Sequence, residues 1–396
     1  MWRLVLMFMT LMGWAPASQA LVAATKETVP IASFEKKIIQ DESIYMCAAI
    51  EPQKLHKMGC MQVKEQEKLL TNYFQIIKAD IAHQTMGLAK KSKSRQKLGT
   101  VVVGVVDSAF DYTAPSTRKA LTKETRSNQP PLTQSNFINA NGHGNSVVSI
   151  IHRIAPMAMI NYYPIDRVGA GKTVDEIRMK NIRDAGMTSD FVNLSLKFSA
   201  SGDIPLNLKE TILDVTKNGV GVIIALGNDS MAKPEDQKYV EELIDLANQA
   251  QGMILLVSGS EYDSVNNELL WADIPARDPA GTQYPAGTNY PMFSLGQVSE
   301  YIITAPSAGL YVLGPLDLPF VRSGTSFAAP MVTAASALLK AYRPNASAAK
   351  IFDALRHGAR KESLRGDDKL GPTFGNGVLD IAKSLSLIDR HMSDPD

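Results

Sequence analysis

From Thr100 onward, short apolar runs alternate with amphipathic stretches. The runs are Val101–Val106, Ala158–Tyr163, Phe191–Leu196, Gly219–Leu226, Met253–Val257 and Tyr301–Ala305. Each is strand-length and nearly free of polar positions, the pattern of a strand buried on both faces. Between them, Asn145–Ile154, Val174–Ala185, Leu206–Asn218 and Pro234–Ala250 read as helices, and Ser326–Tyr342 and Ser347–Ala359 follow as two more. Strands alternating with helices predict an α/β fold with a mostly parallel central sheet covered by helices on both faces. In such sheets the chemistry gathers outside the carboxyl ends of the strands.

The first 98 residues break this pattern. Residues 1–20 carry one basic residue, Arg3, then the apolar run Leu4–Trp14, then small residues at Ala15, Ala17, Ser18 and Ala20. That order predicts a signal peptide cleaved after Ala20 or, as the alternative, after Ala17. The run is too short to span a bilayer, which needs roughly 20 apolar residues. The expected destination is therefore the exterior or the periplasm, with no membrane attachment after cleavage. Residues 21–98 are expected to form an N-terminal extension or prosegment. Apolar residues at spacings of three and four predict a helix over Met61–Ile81. The segment ends in Lys90–Lys97, where five of eight residues are basic; a processing site and a solvated connector fit it equally. Cys47 and Cys60 are a candidate disulfide in an oxidising compartment. The alternating pattern is expected to form one domain over 99–388, with a short tail over 389–396.

Composition narrows the function only by exclusion. Of 396 residues, 41 are Lys or Arg and 40 are Asp or Glu, a net charge of +1. This balance gives no electrostatic case for a nucleic-acid partner. Two cysteines cannot make a four-Cys zinc site, and His56, His83, His152, His357 and His391 have no ligand-like spacing. Gly169-Ala-Gly-Lys172-Thr173 looks like the end of a phosphate-binding loop, but Asp166 stands where the pattern needs its first Gly. No cofactor or metal is implied.

Three separated segments carry candidate chemistry. Val103-Gly-Val-Val-Asp107-Ser108 puts a carboxylate where a buried strand ends. Asn141-Gly-His143-Gly144 puts an imidazole at a helix start, where the helix dipole favours its neutral, basic form. Arg322-Ser-Gly324-Thr325-Ser326-Phe-Ala-Ala-Pro330 puts a hydroxyl at the first turn of an apolar helix whose orphan N–H groups can face an anion. Asp107, His143 and Ser326 stand 36 and 183 positions apart, in the chain order that the Asp-His-Ser triad takes in subtilisin.

On these residues the chain resembles the subtilases, the subtilisin-like serine peptidases. Gly324–Pro330 matches that family's nucleophile motif at every position, and the likeness extends over roughly residues 100–385 to Phe374–Asp380. The resemblance implies a subtilisin-like three-layer fold and peptide-bond hydrolysis, with Asp107, His143 and Ser326 as triad. It implies that Asn228, in Ala225-Leu-Gly227-Asn228, lines the oxyanion hole. It further implies that Ser195, Leu196 and Lys197, with Ala225 and Gly227, bind the extended substrate by adding it as a strand. The expected partners are protein or peptide substrates and a prosegment bound within the same chain. The chain departs from the family at Ala109, where Gly is usual, at Asn145 and Ser146, where Thr and His are usual, and at Lys197, where Gly is usual. These departures leave a second reading, a catalytically impaired subtilase-like binding protein.

Overall fold

The computed structural model describes residues 73–88, 98–108, 110–127, 142–165, 173–199, 201–229, 234–263, 298–317, 319–360 and 375–391. It also describes the backbone of the short strands Tyr45–Met46, Met61–Gln62, Glu268–Trp271, Ala276–Arg277 and Gln283–Tyr284. Residues 1–20, where a signal peptide is expected, both cysteines, Ala109, Gly169–Lys172 and Lys90–Lys97 lie outside these residues.

A seven-stranded sheet forms the middle layer. Its strands are β1 (Val101–Asp107), β2 (Ala158–Pro164), β3 (Phe191–Leu194), β4 (Gly221–Ala225), β5 (Ile254–Asp263), β6 (Glu268–Trp271) and β7 (Ile302–Pro306). The order is β7-β5-β4-β3-β1-β2, all parallel, with β6 antiparallel against β5. The order reverses between β1 and β3, so a crevice opens at the carboxyl ends of those two strands. Strand alternation divides the core between the two faces. In β3, Phe191 faces one apolar cluster while Val192 and Leu194 face the other. Gly104 in β1 lets α3 approach, since a Cβ there would lie 2.8 Å from the Ala185 methyl group.

Helices cover both faces. On one side lie α1 (Ala79–Thr85), α2 (His143–Ile154), α6 (Thr325–Tyr342), α7 (Ala348–Gly358) and α8 (Ile381–His391). On the other lie α3 (Val174–Thr188), α4 (Leu206–Lys217) and α5 (Pro234–Gln249). Every helix expected between Asn145 and Ala359 is present, with no end shifted by more than three residues. Thr173 caps α3: its hydroxyl accepts from the Glu176 N–H at 3.2 Å and the Glu176 carboxylate accepts from the Thr173 N–H at 2.7 Å. α6 runs through the middle of its layer, buried on nearly every side, as its unbroken small and apolar sequence requires. A hairpin of β8 (Leu310–Leu313) and β9 (Pro319–Arg322) leads into it. None of the described helices is long and apolar enough to cross a membrane.

Within the stretch expected as one helix over Met61–Ile81, residues 73–76 form a helical turn and α1 follows at Ala79. Lys78, in the left-handed conformation at φ 57°, separates them. Residues 73–88, assigned by sequence to the extension, pack into the same apolar cluster as α2, α6 and α8. Ile77, Ala79, Ala82 and Met86 are buried there. Backbone groups lock the segment in place. The Arg360 guanidinium donates to the Ile76 carbonyl at 2.6 Å, and the Ile381 N–H to the Ile77 carbonyl at 2.9 Å. The His83 ring donates from Nε2 to the Ile154 carbonyl at 2.6 Å. α8 continues through residues 389–391, past the expected start of the tail.

This docking gives a direct contrast. Ile77→Ala removes a buried side chain, 1% exposed, and is expected to destabilise the fold by about 2–5 kcal/mol. Ile81→Ala, at a position 44% exposed, is expected to stay within about 0.5 kcal/mol. Urea unfolding of both variants measures the difference.

Candidate active site

The carboxyl end of β1 delivers Asp107 into the crevice, where its side chain is fully buried. Oδ1 accepts hydrogen bonds from the Ser108 N–H at 2.7 Å and from the His143 Nδ1–H at 2.7 Å. Because a carboxylate can only accept, this bond puts the proton on Nδ1 and leaves Nε2 as the basic nitrogen. Oδ2 is buried with no hydrogen bond among the described residues.

His143 opens α2 and is held there from two directions. Gly144 makes room for Tyr162, whose hydroxyl donates to the Ser108 carbonyl at 2.5 Å; a Cβ at Gly144 would overlap that hydroxyl, 1.7 Å away. The Asn145 amide clasps the backbone of Asp111, accepting from its N–H and donating to its carbonyl, each at 2.9 Å. The side-chain amide carries its acceptor and its donor on separate atoms, so it satisfies both backbone groups at once. The departure at Asn145 thus ties the turn after Asp107 to the helix that carries His143. Ser146 turns inward, donating to the Gly142 carbonyl at 3.1 Å.

Ser326 lies in the first turn of α6, and the chain around it is held by three linked contacts. Gly324 precedes the helix at φ 136°, a conformation closed to side chains, and a Cβ there would lie 3.3 Å from Asn228 Nδ2. Pro330 has no N–H to donate to the Ser326 carbonyl. That carbonyl accepts from Ser195 Oγ instead, at 2.8 Å. Ser195 Oγ in turn accepts from Asn193 Nδ2 at 3.0 Å, and Asn193 Oδ1 accepts from Thr333 Oγ1 at 2.9 Å. The end of β3 is therefore bolted to α6 at two levels.

Asn228 follows β4 and is fixed by Thr325. Its Oδ1 accepts from the Thr325 N–H at 2.8 Å and from Thr325 Oγ1 at 3.1 Å, while the Gly227 N–H donates to Thr325 Oγ1 at 3.2 Å. With Oδ1 engaged, the NH2 group faces Gly324, the residue before the helix turn that carries the Ser326 N–H. The first turn of a helix leaves such N–H groups without intrahelical partners, so the two can point at one developing anion.

Ala225 ends β4 and is buried, and Leu196 is half-buried against the second core cluster. Lys197 crosses from the segment after β3 to Asp229 (2.7 Å) and Asp236 (3.3 Å). Asp107 and His143 are directly bonded. Ser326 Oγ makes its one long contact, 3.4 Å, with the Ser195 carbonyl rather than with His143. The Phe327 ring lies 5.1 Å from the His143 ring. Sequence reading missed the supporting residues Asn145, Asn193, Thr325 and Thr333, whose roles depend on partners remote in the chain. Among the described residues, no three His, Cys, Asp or Glu side chains cluster as a metal would require.

A model of the subtilase family matches residues 99–268 and 321–377. The chain belongs to the subtilase family. Its fold is similar to that of the A subunit of the AB5 toxin from E. coli, at 17% identity and a TM-score of 0.57, over 80% of this chain and 98% of that one. It is similar also to a chain of the subtilase cytotoxin SubAB, at 18% identity and 0.56, over 81% and 96%. A lanthipeptide protease gives 18% and 0.51, over 81% and 95%. At these identities the likeness is one of fold. A comparison with curated protein sequences found no match. The three-layer core of this subtilase is accordingly subtilisin-like.

The electrostatics of this subtilase set a pH signature. Burial pushes the His143 pKa down, but the charge of Asp107 and the hydrogen bond to it outweigh burial; Arg322 opposes them weakly, and the net shift is upward. Protonated His143 therefore stabilises the fold. That contribution is fully present below the ordinary pKa of 6.5 and is lost as pH rises through the higher folded value. NMR titration of the His143 ring is expected to give a midpoint above 6.5, and Asp107→Asn is expected to lower it. A midpoint unmoved by Asp107→Asn would contradict this electrostatic account.

Proposed function

We propose that this subtilase is an exported serine endopeptidase, with Ser326 as nucleophile, His143 as general base and acid, and Asp107 as the group that orients the imidazole. The observation that carries this reading is the 2.7 Å bond from His143 Nδ1 to the buried Asp107. It fixes the tautomer in which Nε2 can accept a proton. A rotation about χ1 of Ser326 takes Oγ from the Ser195 carbonyl toward that nitrogen; catalytic hydrogen bonds are commonly long before substrate binds.

In this mechanism His143 Nε2 takes the hydroxyl proton as Ser326 Oγ adds to the scissile carbonyl. The resulting imidazolium is stabilised by Asp107 without proton transfer to it. The oxyanion receives the Asn228 NH2 and the Ser326 N–H. Collapse of the tetrahedral intermediate passes the proton from Nε2 to the leaving amine, and water repeats the sequence on the acyl-enzyme. The Ser195 carbonyl, released by the Ser326 hydroxyl, becomes an acceptor for a substrate N–H, so the acyl side of the substrate runs along residues 195–197. The 1–20 segment supports export, and prosegment removal upstream of residue 73 is compatible with the burial of Ile77 and Met86.

Two measurements test the reading. A fluorophosphonate probe is expected to label Ser326, and Ser326→Ala is expected to abolish labelling and lower turnover on the order of 10⁶-fold. Hydrolysis persisting in that variant would sink the assignment. Asn228→Ala is expected to reduce kcat by about 10²–10³, with labelling slowed rather than lost.

A further inference from the structure

The residue on the acyl side of the scissile bond, P1, has three directions available at its Cα. In the substrate pose proposed above, its carbonyl oxygen lies at Asn228 and its N–H at the Ser195 carbonyl, which leaves its side chain the gap between residues 195–197 and the turn 226–229. That gap is bridged by Lys197. Its ammonium is 2.7 Å from Asp229, 3.3 Å from Asp236 and 5.5 Å from the centre of the Tyr239 ring.

This is a built cation site. Asp229 follows the oxyanion residue, while Asp236 and Tyr239 come from the first turns of α5. Asp236 is 8% exposed and Tyr239 fully buried. The Tyr239 hydroxyl accepts from the Phe198 N–H at 3.2 Å, and the Arg178 guanidinium donates to the Lys197 carbonyl (3.4 Å) and the Phe198 carbonyl (3.3 Å). The backbone carrying Lys197 is thus pinned on both sides. Two carboxylates and an aromatic face around one ammonium are the chemistry that would hold a basic substrate side chain.

We propose that Lys197 occupies the P1 pocket as an intramolecular stand-in for a basic residue, so that this enzyme cleaves after small residues such as Gly, Ala and Ser. The inference rests on Ser326 being the nucleophile. A large apolar P1 side chain would desolvate the ion pair without replacing it. A Lys or Arg would meet the Lys197 charge. A small side chain leaves the bridge intact. Removing the Lys197 side chain empties the site and leaves Asp229 and Asp236 to receive a P1 cation.

The test is a set of internally quenched peptides differing only at P1, assayed with the full-length processed enzyme. Wild type is expected to favour P1 Ala over Lys, Arg, Leu and Phe in kcat/KM. Lys197→Gly is expected to raise the ratio of P1 Lys to P1 Ala by at least about tenfold, and adding Asp236→Asn to cancel most of that gain. Wild type cleaving after Lys or Leu as readily as after Ala would overturn the proposal, as would a P1 profile unchanged in a Lys197→Gly variant that still labels with fluorophosphonate. Those results leave the nucleophile assignment standing. Absence of both labelling and hydrolysis in the wild type overturns the nucleophile and the stand-in together.

Discussion

The carbonyl of Ser326 is the point on which the site depends. Pro330 leaves it without its helical donor. Ser195 supplies the missing hydrogen bond at 2.8 Å, and Asn193 and Thr333 hold Ser195 in turn. A defect in the helix ladder thus becomes the joint between the central sheet and the helix that carries Ser326. The same turn uses Thr325 to set the orientation of the Asn228 amide. Two adjacent residues, Thr325 and Ser326, therefore fix the hydroxyl, the backbone donor and the side-chain donor relative to one another. Such preorganisation is what makes oxyanion stabilisation effective, because no reorientation is needed as charge develops.

The electrostatic half of the site is set by burial. Asp107 is fully buried and concentrates its bonds on Oδ1, so its charge acts chiefly on one ring, which remains 26% exposed. The clasp of Asn145 on Asp111 and the bond from Tyr162 to Ser108 hold the intervening turn. Aim therefore comes from the carboxylate, and constancy of aim comes from neutral hydrogen bonds around it. A few steps along the crevice, Lys197 and its two carboxylates use opposite charges to close space rather than to create a base.

Much of the architecture was legible in the chain. Strands buried on both faces, such as Val101–Val106, leave little choice but a covered parallel sheet, and Gly324–Pro330 carries a motif with seven matched positions. The hairpin Leu310–Leu313 and Pro319–Arg322 was not legible, because four-residue strands separated by Pro and Gly carry too little periodicity. The docking of Ile77, Ala82 and Met86 was also hidden. A short amphipathic stretch looks the same whether its apolar face meets the peptidase core or another partner.

Sequence alone determined which groups are available: an Asp at a strand end, a His and a Ser at helix starts, and the order in which they occur. Local periodicity and turn chemistry act over a few residues, so they are written locally. Tertiary structure decided which oxygen of Asp107 meets His143, which way the Asn228 amide faces, and that Lys197 spends its charge on Asp229 and Asp236. Those outcomes join residues up to 97 positions apart, as Asn228 and Thr325 are. They are settled by the cost of leaving buried polar groups unpaired, which draws most of them to whatever partner the fold has placed nearby.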